Sequence, residues 1–378
     1  MIEFLTGTWT YVVPFVILLT ILVFIHEMGH YSVARFFGVT VETFSIGFGR
    51  ALLTWKDKAG TDWKIGWIPL GGYVKFLGDE DATSVKKSDA PVVLAEGQRM
   101  FHEQPLYARA AVVAAGPAAN FLFAIVVLAV IFATLGQSFT PAVVDAVIED
   151  TAASDAGVKA GDRVIELDGQ TIERFEELQL IISSSPGIGL EMVVLRDDVP
   201  VSLSVTPRSR TFKDRFDNQQ KIGFLGVSRS GQLEHIRHGP VMAVWYATRE
   251  TWRLSVLTLK NVWRMIVGSR PADDLRGVLG IAQMSGQAAQ MGFETSISLM
   301  VVISISLGLI NLFPIPILDG GHLAFYIFEA VRGKPLGEKA QEIGFRAGLV
   351  LVMSLMLYAL WNDLVHLNVI GYLNQVFS

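Results

Sequence analysis

The sequence contains no cysteine, which excludes a disulfide framework and every thiolate metal site. Any bound metal must therefore be held by histidine and carboxylate side chains. Charge is scarce too. Only 18% of the 378 residues are Asp, Glu, Lys or Arg, against a hydrophobic share of 51% and a mean hydropathy of +0.43. That balance is too apolar for an ordinary soluble chain and points to a membrane protein. No Lys or Arg precedes Arg35, and no basic tail or cluster offers a surface for nucleic acid, in keeping with a formal charge of −5.

In place of charge there are long uncharged runs. None occurs between Glu3 and His26, between Arg109 and Asp145, or between Glu294 and Asp319, and Ala347 to Trp361 forms a shorter fourth run. A bilayer needs about 20 apolar residues per helix, so four transmembrane helices are predicted. The first carries Glu3 where a signal peptide has Lys or Arg, and no small-x-small cleavage site follows, so it reads as a retained span. The loops after the first and third spans are rich in Lys and Arg and are expected on the cytoplasmic side. Met1 to Thr10 and His366 to Ser378 have none, which puts both termini outside, together with the long segment after the second span.

The second half of the first run reads His26-Glu27-Met28-Gly29-His30, the HExxH pattern. Residues i and i+4 share a helix face, so His26 and His30 can chelate one Zn²⁺ while Glu27 serves as general base toward water. Two packed histidines are the bland reading. Three ionisable groups side by side in an apolar helix favour a cation among them. A catalytic zinc takes a third protein ligand, and Val33 and Phe36 stand where a metzincin has Gly and His. By chemistry, Asp319 and His322 in "INLFPIPILDGGHL" both qualify. Pro314 and Pro316 break the third span just before Asp319, which is expected to end it near the depth of Glu27. Asn311 can donate to a substrate carbonyl or oxyanion, or simply bridge helices.

From Glu42 to Leu77 the pattern shifts to short alternating segments, a β-meander with a turn at Asp57-Lys58-Ala59-Gly60. Its "GGYVK" stretch, Gly71, Gly72, Tyr73, Val74 and Lys75, offers a strand edge to which an extended substrate could add; a purely structural sheet is the competing reading. "GPAANF", Gly116 to Phe121, reads as small residues for close helix packing, with no catalytic role. Residues 140 to 228 alternate as strands around the helical "FEELQLIISS". Pro240 to Gly268 is amphipathic and too charged to span, suited to the membrane surface or to packing on its neighbour.

HEMGH in a first span, "GGYVKFLGDED" after it, "GPAANF" opening a second, "SDAGVKAGDRVIELDGQTIERFEEL" and "NLFPIPILDGGH" in a third jointly resemble the site-2 protease family of intramembrane zinc metalloproteases, in particular the bacterial regulator of sigma-E protease type. The resemblance implies His26, His30 and Asp319 as zinc ligands, Glu27 as base, Asn311 as a substrate-stabilising residue and a membrane-reentrant β-loop. It also implies a circularly permuted PDZ domain, in a single copy where those relatives have two in tandem. Ser306 stands where they have a second Asn.

The expected fold is a polytopic α-helical membrane protein with four transmembrane helices, a membrane-associated β-meander and one extracytoplasmic PDZ-like domain of α+β type. The expected boundaries are 1–38, first span; 39–107, meander and loop; 108–137, second span; 138–228, PDZ-like; 229–292, amphipathic region; 293–323, third span; 324–345, cytoplasmic loop; and 346–378, fourth span and tail. The expected function is regulated intramembrane proteolysis in a bacterial inner membrane. The partners would be single-pass membrane proteins such as a trimmed anti-sigma factor or remnant signal peptides, the lipid bilayer, and a peptide on the PDZ-like domain. A membrane-anchored metalloprotease for soluble substrates and a PDZ scaffold with a decayed site are the alternatives, the latter disfavoured by the intact Glu27.

Overall fold

The computed structural model describes residues 2–78, 98–213, 219–229, 234–268 and 276–366. The sequence features Asp79-Glu80-Asp81, Lys86 and Lys87, and the C-terminal tail from 367 on, lie outside the described residues. In chain order the elements are α1 (Ile2–Phe36), β1 (Val41–Lys56), β2 (Asp62–Phe76), α2 (Leu106–Thr134), β3 (Gln137–Phe139), β4 (Val144–Val147), α3 (Ala152–Asp155), β5 (Arg163–Leu167), β6 (Gln170–Thr171) and α4 (Phe175–Ser184). There follow β7 (Leu190–Arg196), β8 (Val199–Val205), β9 (Arg208–Lys213), β10 (Gln219–Phe224), β11 (Val227–Arg229), β12 (Glu234–Ile236), α5 (Pro240–Ile266), α6 (Val278–Met291), α7 (Phe293–Asn311), α8 (Asp319–Arg332) and α9 (Glu338–His366). Two compact units result. Met1–Leu128, Ala247–Trp263 and Pro271–Ser378 form one, and Ala129–Tyr246 with Arg264–Arg270 form the other.

In the first unit, α1, α2, α7 and α9 are each long and apolar enough to cross a membrane. α9 is apolar on nearly all sides yet barely covered by the rest of the chain, with Val350, Leu355, Met356 and Leu357 exposed. A helix of that kind needs an apolar cover, from lipid or from other protein. Small residues set the crossings. A Cβ on Gly29 of α1 would strike the Ala115 carbonyl of α2, and Ser304 Oγ of α7 donates to the Asn120 backbone carbonyl at 3.0 Å. α6 packs on α1, with Gly286 against Tyr11, and its first turn is held by Asp363 of α9, which accepts from the backbone N–H groups of Gly277 and Gly280 at 3.0 Å each.

The meander expected as four short segments is two long, bent strands. The first half of β1 is flanked on both sides by β2: Thr43 faces both Asp62 and Lys75, and Ile46 faces both Ile65 and Gly72. Phe44 stacks on Trp63 with centroids 4.3 Å apart, and Tyr31 of α1 packs edge-on against both rings. Tyr31 Oη and Trp63 Nε1 donate to Asp57 Oδ2 at 2.9 and 3.0 Å, which ties the turn of the meander to α1.

The third span differs from expectation. The helix stops at Asn311, and Asp319 opens the following helix instead of closing this one. Pro314 and Pro316 lack N–H donors and their rings obstruct a continuing helix, whereas an acidic residue in a first turn is favoured by the N-terminal backbone amides. The stretch taken as a loop from 324 to 345 is consequently helical up to Arg332, where Gly333 at φ 72° provides a left-handed cap, and α9 begins at Glu338.

The second unit holds a four-stranded antiparallel sheet in the order β6-β5-β7-β8. Its core joins Val164, Leu167, Met192, Val194 and Val205 of the sheet with Leu178 and Ile182 of α4. β11 pairs with β4, and β12 with β3. Arg196 donates to both carboxylate oxygens of the buried Asp162 at 2.8 and 2.7 Å.

Candidate active site

α1 brings His26, Glu27 and His30 to one buried stretch. The two imidazoles meet edge to face, with Nε2 atoms 3.3 Å apart. Asp319 Oδ2 lies 3.2 Å from His26 Nε2 and 3.5 Å from His30 Nε2. Asn311 Nδ2, from the last residue of α7, is 3.4 Å from His26 Nε2. Among the described residues, His26, His30 and Asp319 form the one group of acidic and imidazole side chains close enough to share a metal. His322, the rival ligand by sequence, lines the same cavity but stands apart from that group, its ring against Phe345 at 5.3 Å.

The donor set fits Zn²⁺. Bonds of about 2.0–2.1 Å in a tetrahedral site separate ligand atoms by about 3.3 Å, and the three atoms here form a triangle of that size. His30 Nδ1 donates to the Val112 carbonyl at 2.9 Å, which leaves its Nε2 lone pair facing the cluster. Asp319 Oδ2 is buried without a hydrogen-bond donor. An orphaned carboxylate oxygen beside a nitrogen lone pair is costly unless a cation lies between them.

Local sequence accounts for the convergence. Ile317 sits at φ 96°, a conformation that costs a β-branched residue about 1–3 kcal/mol and that re-aims the chain between the prolines and Asp319. Gly116 of α2 lies directly against the His30 ring, where any Cβ would overlap it. Gly72 fills the same need on the other side: a Cβ there would come within 2.8 Å of Val23 Cγ1 and 3.0 Å of Glu27 Cγ. The strand edge can thus pass close to Glu27.

A cavity of about 410 Å³ opens onto the cluster, lined by Glu27, Asn311 and His322 on one side and by Gly71, Gly72, Tyr73 and Val74 of β2 on another. Lys75 is directed elsewhere and pairs with Glu42 at 3.3 Å. Ser306 Oγ donates back to the Val302 carbonyl at 2.9 Å within its own helix. Sequence reasoning missed Asn120. Fully buried in α2, its amide lies 3.1 Å from His26 Nδ1. The available signal was its spacing: four residues after Gly116 it shares the face that meets α1, and a buried amide in an uncharged span calls for a partner.

The chain belongs to peptidase family M50, whose model matches residues 14–355. It is 44% identical to an Agrobacterium fabrum protein provisionally named a zinc metalloprotease, over 96% of each chain. A similarly named Rhizobium meliloti protein is 41% identical, covering 94% of this chain and 96% of its own. The metalloprotease MmpA of Caulobacter vibrioides is 36% identical, covering 97% and 98%. Among solved structures, the PDZ domain of an SdrC-like protein from Listeria monocytogenes is similar at 20% identity and a TM-score of 0.19, over 24% of this chain and 88% of that one. The protein is accordingly a protease of a zinc metalloprotease family, with zinc as the implied cofactor and, among the described residues, four helices apolar enough for a membrane.

Proposed function

We propose that this protease hydrolyses peptide bonds within or beside transmembrane segments of single-pass membrane proteins. The observation that carries the reading is the setting of the site: His26, Glu27 and His30 sit in the interior of a helix whose flanks are apolar on both sides, and a β-strand edge lines the same cavity. A helical substrate has its carbonyls already hydrogen-bonded, so it must be drawn out before attack. The Gly71–Val74 edge, unpaired on its outer side among the described residues, is suited to hold such a strand by backbone hydrogen bonds.

Bound by His26, His30 and Asp319, zinc would polarise the scissile carbonyl and acidify the attacking water. Glu27, beside the ligands and inside the cavity, takes the proton from that water and returns it to the leaving amine. Asn311 donates its amide N–H to the carbonyl oxygen as negative charge develops there.

The asymmetry of Lys and Arg between the loops supports an inner-membrane orientation with the site toward the cytoplasm and the PDZ-like unit outside. In that arrangement the PDZ-like unit would screen substrates by their outer portions, admitting trimmed ones such as an anti-sigma factor or a remnant signal peptide. Purified protein in liposomes, given one single-pass substrate inserted in the bilayer and the same segment fused to a soluble carrier, tests the proposal. Cleavage of the inserted form alone, abolished in Glu27→Gln, is expected. Equal cleavage of the soluble form would replace the proposal with a membrane-anchored protease acting on soluble proteins.

A further inference from the structure

Asn120 has two features that do not fit together as they stand. Its Nδ2 lies 3.1 Å from His26 Nδ1, while its Oδ1 is fully buried and has no donor. With Nδ2 as donor, His26 Nδ1 must accept, and the ring proton moves to Nε2. That proton would point at Asp319 Oδ2 and His30 Nε2 and would occupy the lone pair a metal needs. Amide oxygen and nitrogen differ only by a half-turn of the side chain. After that turn, Oδ1 accepts from His26 Nδ1–H, the orphaned oxygen gains its donor, and His26 Nε2 presents its lone pair to the cluster. At His26 one neutral hydrogen bond is exchanged for another, the Nδ2 group takes the buried place Oδ1 held, and the His26 Nε2 lone pair is left free for a metal.

We propose that Asn120 is a positioning residue for the metal, accepting the His26 Nδ1–H proton through Oδ1 and thereby fixing the imidazole tautomer and ring direction that ligation requires. The Val112 carbonyl performs the same service for His30 at 2.9 Å. Both supports come from α2, so one helix orients both histidines of α1. Ser304 Oγ, donating to the Asn120 carbonyl, fixes the backbone at that level. The Gly116 to Asn120 spacing then has a double purpose: the glycine makes room for one imidazole and the amide orients the other.

The inference rests on His26 being a zinc ligand, and the test separates the two. Zn²⁺ affinity is measured by chelator competition on the purified full chain in detergent, for wild type, Asn120→Leu and Asn120→Asp. Leu fills similar volume and cannot accept, so affinity should fall about 10–100-fold, the usual loss when an imidazole's outer partner is removed. Asp retains an acceptor and should bind close to wild type. Wild-type affinity in Asn120→Leu, or weaker binding in Asn120→Asp than in Asn120→Leu, would overturn the role of Asn120 while leaving the ligand assignment standing. A wild-type chain that binds no zinc would overturn both. Should the Leu variant fail to fold, ¹⁵N spectra of histidine-labelled, metal-free wild type decide: a His26 proton on Nδ1 is expected, and a proton on Nε2 refutes the proposal.

Discussion

The two units bury polar groups to different ends. In the sheet unit the buried carboxylate of Asp162 is met by a two-pronged Arg196 and by the Lys159 backbone N–H. In the helical unit His26, Glu27, His30 and Asn120 are buried together in the apolar stretches of α1 and α2, and an oxygen of Asp319 and one of Asn120 are left without donors. The first arrangement is complete as it stands, so its effect is on stability. The second leaves the Asp319 oxygen facing two imidazole nitrogens with a place for a cation between them, which marks it as the candidate site of chemistry.

The sharpest separation of the two roles comes from Glu27. Glu27→Gln should keep its zinc while cleavage of a membrane substrate falls by about 10²–10⁴-fold, the usual scale of a lost general base; zinc content and cleavage rate on one preparation check it. A variant that cleaves near the wild-type rate would remove Glu27 from the mechanism. Next in size, Gly116→Leu drives a side chain into the His30 ring and should weaken zinc binding by at least about tenfold, with the sheet unit unaffected. The converse change is Met192→Ala in the centre of the sheet-unit core. It should cost about 2–5 kcal/mol in that unit, read by hydrogen exchange of β5, β7 and β8, and leave zinc affinity unchanged. If either substitution moves both readouts together, the units are not independent.

The smallest effect is acid sensitivity of the sheet unit. Burial acts to raise the Asp162 pKa, but hydrogen bonds from Arg196 and the Lys159 amide prevail and hold it below its ordinary value of 3.8. A depressed carboxylate contributes stability that is fully present above the ordinary value and lost as pH falls through the lowered one. Protection of β5 and β7 should therefore decline with acid below the ordinary range, and Asp162→Asn should flatten that decline. An unchanged acid profile in the variant would assign the decline to other carboxylates.

Much of this was legible in the sequence because it is carried by local periodicity. Uncharged runs mark the four helices, alternation marks β4, β5, β7 and β8, and the i, i+4 spacing of His26 and His30 places both on one face whatever surrounds them. Asn120 carried only its spacing from Gly116 as a signal, which an amide among Gly and Ala residues shares with plain packing, and the ring it meets is 94 positions away. Pro314 and Pro316 announced a break, but the restart of a helix at Asp319 depends on φ 96° at Ile317, an improbable conformation for that residue type. The meander hid its topology for a similar reason: bending lets one half-strand of β1 pair on both sides with β2, which alternation alone does not encode.

The most direct measurement is the zinc content of the purified full chain for wild type, Asp319→Ala and His322→Ala, prepared side by side. Ligation by His26, His30 and Asp319 predicts about one zinc per chain in wild type and in His322→Ala, and its loss in Asp319→Ala, as expected when one of three protein ligands is removed. Zinc retained in Asp319→Ala and lost in His322→Ala would contradict the assignment.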